Sequence, residues 1–102
     1  MVEQKHIIGA IESMLGDQTH RTVEIEGWTV KTDIKKIGDG FSVEKTYGLS
    51  ESRRYELNAD GEIRKVLLFD NVSGELLEPE PVSSDQEVLT RIVQEALEHA
   101  RY

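Results

Sequence analysis

Cysteine is absent from this chain, which excludes disulfides, thiolate nucleophiles and cysteine-bound zinc together and is compatible with any redox compartment. Long apolar runs are missing as well. The longest is residues 66–69, far short of the ~20 residues a helix needs to cross a bilayer, so no membrane partner is expected. The opening stretch MVEQKHIIGAIESM carries acids and has no apolar segment followed by small residues. It does not read as a signal peptide, and a cytoplasmic location is the expectation. Bases are scarce beside acids, 12 against 20, for a formal charge of −8. Residues 75–102 alone hold seven acids and two arginines, or −5. Such a field repels phosphate backbones, so no nucleic-acid partner is expected.

What is present fits an ordinary globular domain. With 102 residues, 37% of them hydrophobic and 31% charged, the chain makes a single domain over residues 1–102. A chain of this length buries roughly 60–70% of its unfolded surface in one core.

Residues 2–15 place Ile7, Ile8, Ile11, Met14 and Leu15 at helical spacing, and Gly16 follows where a left-handed cap is wanted. Gly9 inside that stretch costs ~1 kcal/mol relative to alanine. A second helix is expected over residues 84–101, with Ser84 and Glu87 as a capping box and Pro79 and Pro81 discouraging an earlier start. Val88, Leu89, Ile92, Val93, Ala96, Leu97 and Ala100 form its apolar stripe.

Between the helices, strand alternation and glycine-bearing turns repeat from residue 20 to residue 78. A two-residue loop at Gly38 and Asp39 sets Ile34 against Val43, Val30 against Tyr47 and Trp28 against Leu49 on one face. The other face then carries Lys31, Asp33 and Lys35 against Ser42, Glu44 and Thr46, the pattern of a sheet with one wet side. The apolar parity switches between Ile25 and Trp28, which either a hairpin loop at Glu26 and Gly27, pairing Val23 with Val30, or a bulge explains. The stretches ELNADGEI (56–63) and FDNVSGEL (69–76) share Asn-x-x-Gly-Glu, which suits a three-residue loop with glycine in the left-handed region. That loop pairs Leu57 with Ile63, Glu56 with Arg64 and Phe69 with Leu77.

The expected fold is therefore α+β: an N-terminal helix, a five- or six-stranded antiparallel meander and a C-terminal helix, with both helices on one face of the sheet.

Chemistry-bearing motifs reduce to turns. Asn58, Asp60 and Gly61 occupy the third, fifth and sixth places of a calcium loop, but the first place is Glu56 and the twelfth is Leu67, which cannot close the shell. His6, His20 and His99 have no regular spacing, and only His99 has a carboxylate one turn away, at Glu95. No nucleophile elbow, phosphate loop or dinucleotide fingerprint occurs, so no catalytic, cofactor or metal residue is assigned.

One feature breaks the pattern. On the expected register Ile63, Leu67 and Phe69 face the core, which turns Val66 and Leu68 to the polar side. With Leu76, bordered by Arg54 and Arg64, they form a candidate interaction surface for a protein partner or a second copy. The first expectation is a small acidic, non-enzymatic interaction module: an adaptor, inhibitor or chaperone-like factor. The second is a small-molecule binder with a cavity between a curved sheet and the C-terminal helix, near Trp28, Phe41, Tyr47 and Tyr55. An enzyme would need acids or histidines that converge only in the fold.

Overall fold

The computed structural model describes residues 4–27 and 29–100. Helix α1 (Gln4–Leu15) is followed by strands β1 (His20–Glu26), β2 (Val30–Ile37), β3 (Gly40–Tyr47), β4 (Glu51–Leu57), β5 (Ile63–Asp70) and β6 (Glu75–Leu77), then by helix α2 (Ser83–Ala100). The fold is α+β. The strands form one antiparallel sheet in sequence order, with β1 and β6 at its edges. Ile7, Ile11, Met14 and Leu15 of α1 and Leu89, Ile92, Val93 and Ala96 of α2 share a core with Val23, Ile34, Val43, Tyr55 and Val66, so both helices cover the same face.

Local chemistry sets the ends of each element. Gly16 (φ 59°) stops α1, its N–H donating to the Glu12 carbonyl at 2.9 Å. Helix α2 starts one residue earlier than the Ser84–Glu87 box implies, because Asp85 closes it. Its carboxylate accepts from the Val82 N–H at 2.7 Å, while its own N–H donates to the Val82 carbonyl at 3.0 Å. Arg21, on the helix face of β1, donates to the Met14 carbonyl at 2.8 Å and the Ala100 carbonyl at 3.2 Å. One guanidinium thus satisfies last-turn acceptors of both helices and complements both dipoles.

The β2–β3 hairpin has the expected loop, with Ile37 opposite Gly40 and Gly38 at φ 58°, and it pairs Ile34 with Val43 and Val30 with Tyr47. Trp28 lies outside the described residues, and Leu49 is exposed. Between β1 and β2 a hairpin and a bulge coexist. Glu26 pairs with Val30 across a turn opened by Gly27 (φ 55°), and Ile25 is the unpaired extra residue. Val23 consequently meets Thr32 rather than Val30.

The β4–β5 register is the consequential correction. Leu57 pairs with Ile63 as expected, but Glu56 pairs with Lys65, which leaves Arg64 as a bulged residue. One extra residue reverses the parity of everything after it. Tyr55 therefore meets Val66 and Arg53 meets Leu68, on the helix face, while Leu67 and Phe69 turn to the open face. The last hairpin is shifted too: a four-residue loop pairs Asp70 with Glu75, Phe69 with Leu76 and Leu68 with Leu77. Asp70 plays the part in it that Asn58 plays upstream. Asn58 Oδ1 accepts from the N–H groups of Asp60 and Glu62, and Asp70 Oδ1 from those of Val72 and Ser73. Those bonds to the charged form hold the Asp70 carboxyl below its ordinary range.

The core contains one polar misfit. Thr32 is fully buried opposite Val23, and its hydroxyl has no hydrogen-bond partner among the described residues. Thr32→Val replaces an unpaired hydroxyl by a methyl of the same shape, so urea unfolding should show a gain of about 1 kcal/mol.

Candidate functional site

The bulge at Arg64 redistributes the apolar residues assigned to a surface. Val66 is 3% exposed and lies in the core, and Leu68 is half-buried against it. The polar-side placement of these two residues is therefore corrected: Val66 presents no surface to a partner, and what Leu68 presents is on the helix face. Leu76 is on the open face and 53% exposed. Arg54 is on the open face as well, its guanidinium carbon 5.4 Å from the Phe69 ring centre and its Nη2 3.5 Å from Glu44 Oε2. Arg64 stands apart, beside the Asn58–Asp60 turn.

The residues named for a cavity separate similarly. Phe41 and Tyr55 are buried in the core, and Tyr47 is half-buried with Lys45 Nζ 5.2 Å from its ring centre. Lys45 also pairs with Glu95 of α2, joining the helix face of β3 to that helix. Trp28 again lies outside the described residues.

What remains exposed and apolar gathers at the β5–β6 margin. On the open face Leu76 lies beside Phe69, with Leu67 one pleat away. On the helix face Leu77, 52% exposed, lies beside Leu68 because the helices do not reach it. A groove of about 480 Å³ runs there, with Leu68, Leu77 and Val72 as apolar lining. Glu51, Asp70 and Glu75 line it too. They are successive register partners on β4, β5 and β6, so three carboxylates stand in one row across the sheet. Like charges directly opposite each other disfavour the sheet; the N–H groups of Val72 and Ser73 stabilise the Asp70 carboxylate and the Arg53 charge is within reach of Glu51, while no salt bridge joins any of the three to a described residue. Arg53, one row inward, donates to the Tyr55 hydroxyl at 3.4 Å.

The rest of the open face is polar. A groove of about 390 Å³ is lined by His20, Asp33, Lys35, Ser42, Glu44 and Glu56 among others, with His20 Nε2 3.3 Å from Asp33 Oδ1. His99 hydrogen-bonds the Glu95 carbonyl at 2.9 Å rather than its carboxylate. Among the described residues no three histidines or acids converge closely enough to hold a metal ion, and no helix is long and apolar enough to cross a membrane.

The sequence did contain a sign of the true register. Arg64 and Lys65 are consecutive charges in the strand, and a bulge at the first of them keeps Lys65 on the open side and returns Val66 to the core. The described residues form an α+β helix–meander–helix arrangement whose sheet has β1 and β6 at its edges and its helices on one face. Comparison with known proteins finds no family model, no curated protein and no solved structure that matches the chain.

Proposed function

We propose that this chain is a small acidic, non-enzymatic protein-interaction module, an adaptor, inhibitor or chaperone-like factor, that docks its partner along the β5–β6 margin. The observation that supports the reading is β6 itself. It is an edge strand of three residues whose two leucines are each about half exposed, one to either side of the sheet. A sheet edge with unpaired backbone groups flanked by exposed apolar side chains offers a further strand both hydrogen bonds and side-chain contacts.

The test is a paired substitution, Leu76→Asp with Leu77→Asp. Both side chains are about half exposed at a sheet edge, so the fold should persist with a loss of roughly 1 kcal/mol per site. Partners retained quantitatively by the wild-type chain, or a second copy seen by light scattering, should be lost by the double variant. A folded variant that keeps every partner and the same mass overturns the reading.

A further inference from the structure

Resting on that docking reading, the chemistry of the margin also specifies the partner. A strand added beside β6 would place alternate side chains on the two faces of the sheet. Those on the open face would meet Leu76, with Phe69 behind it. Those on the helix face would meet Glu75 and Leu77, and behind Glu75 the carboxylates of Asp70 and Glu51. The first set suits apolar side chains. The second suits long cationic ones, whose methylene stems can lie along Leu77 and Leu68 while the charged ends reach the carboxylate row.

We infer that the β6 edge takes up an extended partner segment in which apolar residues alternate with lysine or arginine, the bases lying in the groove over Glu51, Asp70 and Glu75. The charge of the molecule points the same way: the formal net charge is −8, and Glu78 and Glu80 follow β6 directly. Of the nearby bases, Lys65 pairs with Glu78 at 3.5 Å on the open face, while Arg53 donates to the Tyr55 hydroxyl and also lies within electrostatic reach of Glu51. A second copy of this chain is a poorer occupant, because its own β6 reads Glu-Leu-Leu and would add to the like charge.

Fluorescence anisotropy with labelled heptapeptides tests this directly. Alternating Lys–Leu and Ser–Leu peptides are compared on the wild-type chain, on Glu51→Gln with Glu75→Gln, and on a control with two distant helix charges removed, Glu12→Gln with Glu98→Gln. The Lys–Leu peptide should bind the wild type about tenfold more tightly than Ser–Leu, and that advantage should shrink between about 50 mM and about 300 mM salt. Most of it should disappear in the Glu51 and Glu75 variant and persist in the control. The variant's urea midpoint should not fall, since it removes repulsion. Equal binding of the two peptides, or an advantage untouched by Glu51→Gln with Glu75→Gln, overturns the inference. If both peptides bind alike and Leu76→Asp with Leu77→Asp abolishes both, the docking reading stands while its basic partner falls. If neither peptide binds, the inference falls, and the docking reading is decided by the retention experiment above.

Discussion

Tyr55→Ala should remove about 3–5 kcal/mol of stability, the range for deleting a large aromatic from a closed core. For a domain of this size, that lowers the melting temperature by roughly 15 °C or more. Tyr55 has no exposed surface and sits between Val43 and Val66, the two strand neighbours that join the β2–β3 half of the core to β5. Its loss opens a cavity within the core that the sheet shares with both helices. Tyr55→Phe should be mild, about 1 kcal/mol or less, because the hydroxyl makes only a long bond to Arg53. The same pair predicts a pH dependence. Burial raises the phenol above its ordinary value, opposed by the hydrogen bond and charge of Arg53. A group raised in the folded state stabilises fully below its unfolded value, near 10 for tyrosine, and loses that contribution as pH climbs past it. Urea titrations of wild type and Tyr55→Phe should therefore run parallel up to about pH 10 and converge above it.

The second large effect is expected at Gly40. A Cβ there would lie 2.1 Å from the Leu57 carbonyl oxygen, 3.2 Å from its carbon and 3.3 Å from the Asn58 Cα. All three are backbone atoms, so no side-chain rotation makes room. Gly40→Ala must push apart β3 and the end of β4 where Phe41 pairs with Leu57, at about 3 kcal/mol or more. Gly9→Ala provides the contrast. The site is on α1 with nothing within 4 Å of the added methyl, and the same substitution should stabilise by up to about 1 kcal/mol. Opposite shifts in the urea midpoint check both. Two equal shifts would contradict the packing at Gly40.

The fold was largely legible because its signals are local. Helix stripes, the Gly38–Asp39 loop and the proline-bracketed linker each depend on a few adjacent residues; α1 ends at Leu15 as expected and α2 begins within one residue of its expected start. The candidate surface was less legible, for a reason that can be located. Strand parity is a long-range quantity: one bulged residue, Arg64, inverts the facing of Val66, Leu67, Leu68 and Phe69 at once. The apolar surplus in this strand was visible in the sequence, yet the side it faces depends on a defect that no glycine or proline marks. The carboxylate row was invisible for a similar reason. Glu51, Asp70 and Glu75 come from three strands and meet only through two register choices, the second altered by a loop one residue longer than the shared Asn-x-x-Gly-Glu pattern suggests.

The measurement that bears most directly on the docking margin is an amide-resolved NMR titration of the labelled chain with the Lys–Leu and Ser–Leu peptides. Chemical-shift changes should concentrate in residues 49–53 and 67–78, with new protection from exchange at β6 as its outer edge gains a partner strand. Shift changes centred on the helices or on the His20–Lys35 face, or none with either peptide at concentrations that saturate a micromolar site, would contradict docking at this margin.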